Sequence, residues 1–213
     1  MRRSAQTEAI VYVVDDDVSV RESLELLIAS AGWRVRTFAS AQEFLGHPRG
    51  AVPCCLVLDV ALPDLNGLEL QRRIAADHTE LPIVFITGHG DIPTSVRAMK
   101  AGAIEFLTKP FNDEALLTAI RTAVQRSAAT LRREMELKTL RDSYTSLSRR
   151  EREVMALVVS GLLNKQVGGK LGISEITVKA HRGKVMRKMK AGSLPELVTM
   201  ASRLERNFPS PEC

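Results

Sequence analysis

Short apolar runs alternate with amphipathic stretches over the first 125 positions. The runs are IVYVV (10–14), WRVRTF (33–38), CCLVL (54–58), IVFI (83–86) and IEFL (104–107). Each is bounded by polar or turn residues and has strand length. Between them, 18–31 places Leu24, Leu27, Ile28 and Ala31 on one helical face, and shorter helical patterns cover 41–46, 66–76, 92–101 and 113–126. Ser40–Ala41–Gln42–Glu43 reads as a capping box for the second of these. Continuous apolar strands alternating with helices predict a parallel sheet covered on both faces. Five such units fit a doubly wound, flavodoxin-like α/β domain over 8–125, whose sites belong at the carboxyl ends of strands, near the topological switch.

The pattern then changes. Residues 126–146 are charged, lack Pro and Gly, and read as a helical linker continuing the last helix. Ala128, Leu131 and Met135 fall near helical spacing, which would suit a partner copy, but a solvated connector is the simpler expectation. From 147 to 208 the pattern is helical throughout. Ser148–Arg149–Arg150–Glu151 is a second capping box, and Gly161 ends the helix it starts. Short (164–171) and long (175–190) helical patterns flank Gly172–Ile173–Ser174, and a last one covers 194–206. Two helices joined by a tight glycine-containing turn make a helix-turn-helix within a four-helix, all-α domain.

Charge sharpens this division. Residues 1–145 carry 17 Lys and Arg against 19 Asp and Glu, whereas 146–213 carry 13 against 6. An acidic front and a basic back predict different partners, with a polyanion for the second. Hydrophobic content of 45% and charged content of 26% are ordinary for globular chains, so the function classes removed are the disordered and fibrous ones. Apolar runs are too short to span a bilayer, and MRRSAQTEAI lacks the apolar core of a secretory signal, which points to the cytoplasm with no membrane partner. Cys54, Cys55 and Cys213 have no metal-ligand spacing and suit reduced thiols.

The strand ends carry the chemistry. The first strand ends in Asp15–Asp16–Asp17, the third in Asp59, the fourth in Thr87, and the fifth leads to Lys109–Pro110. Parallel strands would bring these to one edge. Carboxylates, a hydroxyl and an amine in one crevice suit a hard divalent cation and a phosphoryl group. A carboxylate can itself accept the phosphoryl group.

VVDDD, LDVALPDLNG, ITGHGD and IEFLTKPF, in this order and spacing, resemble the motif set of response-regulator receiver domains. LSRREREVMALVVSGLLNKQVGGKLGISEITVKAHRGKVMRKMKAGS resembles a LuxR-type helix-turn-helix. Together they resemble the NarL/FixJ family of two-component regulators, nearer the FixJ branch, over nearly the whole chain. The resemblance implies that Asp59 accepts a phosphoryl group from a sensor histidine kinase. It implies Mg²⁺, with Mn²⁺ as a substitute, held by Asp16, by Asp15 directly or through water, by Asp59 and by the Ala61 carbonyl. Lys109 would contact the phosphoryl oxygens. Thr87 would swing toward them and Phe106 would follow inward. Ala61 and His89 would flank the acceptor and tune dephosphorylation; Asp17 has no assigned part. His47 and His78 carry no signal.

In the basic domain, Val178, His181, Val185 and Met189 share one helical stripe that should pack inward. Lys179, Ala180, Gly183, Lys184, Arg187 and Lys190 lie opposite, a cationic front for a major groove. Lys179 and Lys184 are the expected groove contacts. Arg182, Arg187 and Lys188 are expected at phosphates, with Asn164, Lys165 and Thr177 at helix starts. Gly183 and Gly168 depart from the family pattern, which has a larger residue at the first and alanine at the second. The family also implies homodimerisation on phosphorylation and RNA polymerase as a partner. Two other readings stay open: a phosphohydrolase with an aspartyl nucleophile, which Ala61 disfavours where a second acid would stand, and a constitutive DNA-binding protein.

Overall fold

A computed structural model describes residues 9–76, 81–88 and 90–207. His78, His89, Cys213 and the expected outer limits at 8 and 208 lie outside the described residues. The chain divides between Arg132 and Arg133 into two compact units.

The first unit holds β1 (Ile10–Val14), α1 (Val18–Ser30), β2 (Arg34–Phe38), α2 (Ala41–Leu45), β3 (Cys54–Asp59), α3 (Gly67–Ala76), β4 (Ile83–Thr87), α4 (Ile92–Lys100) and β5 (Glu105–Thr108). All strand pairs are parallel, in the order β2-β1-β3-β4-β5. The expected five-stranded, doubly wound α/β fold is therefore the one observed. The order reverses between β1 and β3, so the crevice belongs beyond Val14 and Asp59.

Strand alternation splits the core into two layers. Ile10, Tyr12, Val14, Leu56, Leu58, Ile83 and Phe85 face one side, with Phe44, Ile74 and Ala98 from α2, α3 and α4. Val11, Val13, Cys55, Val57, Val84 and Ile86 face the other, against Leu24 and Ile28 of α1. Both faces of β1, β3 and β4 are covered, which is why they read as unbroken apolar runs. The neighbouring cysteines follow the same alternation: Cys54 packs against the first layer and Cys55 lies in the second, both as free thiols.

Helix α5 runs from Asp113 to Thr145 without a break. Its first turns complete the second layer through Leu116, Ile120 and Ala123. Residues 126–145 of the expected connector lie within this helix, and they are more than a solvated rod. Ser127 is buried and its hydroxyl accepts the Cys54 N–H at 3.1 Å, and Leu140 is buried in the second unit.

The second unit adds α6 (Arg149–Val159), α7 (Asn164–Leu171), α8 (Glu175–Met189) and α9 (Leu194–Asn207). Ser148 and Glu151 close the expected capping box on α6. At Ser40 the box is only half formed, because Glu43 reaches back to the N–H of Ala39 instead of Ser40. Gly172, at φ +64°, ends α7 in the left-handed region and turns the chain into α8, where Ser174 accepts the Thr177 N–H. A Cβ at Gly168 would lie 2.7 Å from the Ile173 carbonyl oxygen, so the alanine of the family pattern would not fit this tight turn.

Candidate functional site

The three consecutive acids have three different surroundings. Asp15 is buried; its Oδ1 accepts the Asp17 N–H and its Oδ2 meets Lys109 Nζ at 2.6 Å. Asp16 is exposed. Asp17 is the N-cap of α1, accepting the N–H groups of Ser19 and Val20. That gives the third acid its reason: it satisfies orphan donors of the next helix. Arg21, one turn into α1, donates to the carbonyls of Asp15 and Asp16 at 2.7 and 2.9 Å and so fixes the turn. Sequence reading missed Arg21; its spacing after the acidic run was the available signal.

Asp59, at the end of β3, is 6% exposed. Its Oδ1 accepts the Ala61 N–H at 2.9 Å and its Oδ2 meets Lys109 Nζ at 2.7 Å. One ammonium thus ties two carboxylates that are forty-four positions apart in sequence. Burial pushes the Asp15 carboxyl up, against the lowering pull of Lys109 and the Asp17 N–H. Burial alone would lower the Lys109 ammonium, but its bonds to Asp15 and Asp59 outweigh this and raise it. Lys109 is held in place by a backbone bond to the Thr87 carbonyl, at 2.7 Å, and precedes a cis Lys109–Pro110 bond.

Ligand atoms of Asp15, Asp16 and Asp59 lie within 4.8 Å of one another. Three carboxylates and one ammonium leave a formal charge of −2, which a divalent cation would neutralise. The donors are all oxygen, as Mg²⁺ and Mn²⁺ prefer. These residues fit such an ion. Thr87 is buried at the end of β4, and half-buried Phe106 pairs with Phe85 across β5, with ring centroids 6.1 Å apart. Ala61 is exposed beside the acids. The structure therefore brings Asp15, Asp16, Asp59, Ala61, Thr87 and Lys109 to one sheet edge.

Gly67 ends the LDVALPDLNG motif and opens α3. A Cβ there would stand 2.6 Å from the Asp59 carbonyl oxygen and 3.2 Å from the Phe85 ring. Its hydrogen falls where no side chain fits, and its N–H donates to Val60 at 3.0 Å. It lets α3 start against the backbone that carries Asp59.

In the second unit, Val178, Val185 and Met189 of α8 are buried and His181 is half-buried, as the apolar stripe requires. Lys179, Ala180, Gly183, Lys184, Arg187 and Lys190 are exposed on the other side, as is Lys165. Lys179 pairs with Glu175 at 3.1 Å on the open surface, a contact that water or another anion readily replaces. Arg182 donates to Asn164 at 3.3 Å, joining two expected phosphate contacts across α7 and α8. Thr177 is half-buried beside Ser174. Lys188, expected at a phosphate, is paired within its own unit. Its Nζ meets the buried Glu151 at 2.6 Å and the Ser146 carbonyl at 3.0 Å, so its charge is spent inside the unit.

Comparison with known proteins gives the same two parts. Residues 11–121 match the family described as "Response regulator receiver domain", and 145–201 match "Bacterial regulatory proteins, luxR family". The chain is 50% identical to "Nodulation protein W" of Bradyrhizobium diazoefficiens over 94% of its own length and 88% of that protein's. It is 42% identical to "Transcriptional regulatory protein FixJ" of the same organism, over 92% of its length and 96% of the other. Among solved structures, the response regulator StyR aligns with a TM-score of 0.86 and 48% identity, covering 92% of this chain and 99% of that one.

Proposed function

Because the chain belongs to the NarL/FixJ-type response regulators, transcription regulators built from a receiver domain and a LuxR-type DNA-binding domain, we propose that phosphorylation of Asp59 switches its hold on DNA. The observation that carries this reading is the meeting of Asp15, Asp16, Asp59 and Lys109 at the switch point of the sheet. On this reading the receiver occupies 8–125, a helical connector 126–146 and the output domain 147–208.

A sensor histidine kinase supplies the phosphoryl group. An Asp59 carboxylate oxygen attacks phosphorus while the P–N bond to the kinase imidazole breaks. The bonding pair leaves with the imidazole nitrogen, and an acyl phosphate remains on Asp59. The Ala61 N–H orients the carboxylate, and the Lys109 ammonium stands where it can shift from Asp59 to a phosphoryl oxygen. Asp15, Asp16, Asp59 and the Ala61 carbonyl would hold Mg²⁺ or Mn²⁺, which supplies charge neutralisation at the transferring group. Thr87 then turns its hydroxyl toward the phosphoryl oxygens and Phe106 moves into the space behind it. The change reaches the surface of α4 and β5. Ile92, Val96 and Met99 already expose an apolar face on α4, with Ile92 80% exposed, which suits a second copy. The pair of output domains then binds a two-fold related DNA site and regulates transcription with RNA polymerase, in the cytoplasm. Among the described residues no helix is long and apolar enough to cross a membrane.

Acetyl phosphate can stand in for the kinase. With Mg²⁺, intact-mass analysis should find one phosphoryl group per chain on wild type, and none on Asp59→Asn or after chelation. Equal labelling of Asp59→Asn would remove Asp59 from its role.

A further inference from the structure

The exposed face of α8 is not uniformly cationic. At about 100° per residue, Ile176, Ala180, Gly183 and Arg187 fall on one line within roughly 60° of arc. That line lies opposite the buried Val178, Val185 and Met189. Lys179 and Lys184 flank it on either side. The centre of the face is therefore apolar and low, and the charges form its rim and its far end.

Ile176 is the odd member. It is 80% exposed and belongs to neither apolar cluster of its unit. A β-branched residue also adds nothing to helix propensity at an exposed position. The domain's own stability gives no reason for it. Gly183 is similar: a Cβ there would meet nothing within 4 Å, so no packing inside the domain demands glycine. Neither residue is accounted for by packing inside the domain, which leaves both free to meet a partner.

The rim restricts what that partner is. Lys179, Lys184 and Arg187 select a polyanion, and the strip between them selects an apolar feature lying between rows of negative charge. The floor of the DNA major groove has this character, because the thymine C5-methyl is the apolar group displayed there. Ile176 is the second residue of α8, and the first turns of a recognition helix are the part that meets base edges. We propose that Ile176, with Ala180 beside it, reads thymine methyl groups, and that Gly183 keeps the middle of the helix low enough for both to reach them. This rests on the DNA-binding reading above and assigns its sequence preference to an apolar contact.

The test uses the full chain treated with acetyl phosphate and Mg²⁺. Duplexes are first selected by wild type from a random-sequence library at fixed salt. Each thymine of the selected site is then replaced by deoxyuridine, which lacks only the methyl group. Wild type should lose about fourfold in affinity for each contacted methyl removed, and roughly fifteenfold when both halves of a two-fold site are changed. Ile176→Ala should bind the thymine site with a comparable loss and show no further loss on deoxyuridine at the thymine that Ile176 contacts, while any response at a thymine under Ala180 remains. Ile176→Val should retain most of the methyl response. Because Ile176 is exposed, Ile176→Ala should melt no lower than wild type, which separates lost contact from lost fold. Wild-type indifference to every deoxyuridine substitution, or the same sensitivity in Ile176→Ala, would overturn the assignment while leaving DNA binding intact. Enrichment of no duplex would overturn both.

Discussion

Gly67 and Gly183 are glycines for opposite reasons. At Gly67 a Cβ would press on the Asp59 carbonyl oxygen at 2.6 Å, and backbone cannot step aside as a side-chain tip can. Gly67→Ala should therefore cost about 2 kcal/mol of stability and slow phosphorylation by displacing Asp59. Trp33 is the chain's single tryptophan and is buried in the first unit, so its fluorescence during urea unfolding reports that unit. An unchanged midpoint would mean that the close approach relaxes freely. At Gly183 nothing opposes a methyl group, and Gly183→Ala should stabilise α8 by about 1 kcal/mol. The melting midpoint of the helical unit should rise by about 5 °C. No rise would show that the helix does not carry this cost. The acids at residue scale were largely legible: Asp15, Asp16, Asp59 and Lys109 end or follow apolar runs, and parallel topology makes run ends neighbours. Gly67 was not, because nothing in a sequence states the 2.6 Å separation that excludes a side chain.

At the scale of elements, capping and cross-helix pairing decide what pattern leaves open. Every strand and helix of the pattern is present, with ends shifted by a residue or two, because strict apolar runs and glycine stops mark them. Helix α5 was harder to divide. No Pro or Gly interrupts 113–145, so the sequence holds no sign of the unit boundary within it. Lys188 shows what helical phase alone leaves out. Its helical phase places it near the rim, yet Glu151, thirty-seven positions earlier, draws it inward. That pairing, with the Ser148 N–H, holds the Glu151 carboxyl down to about 2, against an ordinary 4.5. A depressed carboxyl stabilises the fold fully above its unfolded value, and the contribution is lost as pH falls through the folded one. The stability gap between wild type and Glu151→Gln should thus be largest above about pH 4.5 and shrink as pH drops toward 2. Far-UV circular dichroism during urea unfolding at several pH values measures it. A gap that stays constant with pH would show that Glu151 acts by shape alone.

The whole molecule joins an acidic crevice at the sheet edge to a basic helix-turn-helix, and its net charge of +5 conceals that contrast. The sequence made both parts legible because each repeats a spacing with a physical cause: oxygen donors at strand ends, and a helix face rimmed with cations opposite a buried apolar one. Coupling between them is a matter of populations. On the proposed reading, phosphorylation would shift DNA affinity only as far as it favours a binding-competent, paired state. The direct measurement is DNA affinity of the full chain at fixed salt, with and without acetyl phosphate and Mg²⁺, for wild type and Asp59→Asn. The account predicts tighter binding and dimerisation of wild type on treatment, by about 5- to 150-fold for a coupling of 1–3 kcal/mol, and no response from Asp59→Asn. Equal affinity of treated and untreated wild type, under conditions where Asp59 carries its phosphoryl group, would contradict it.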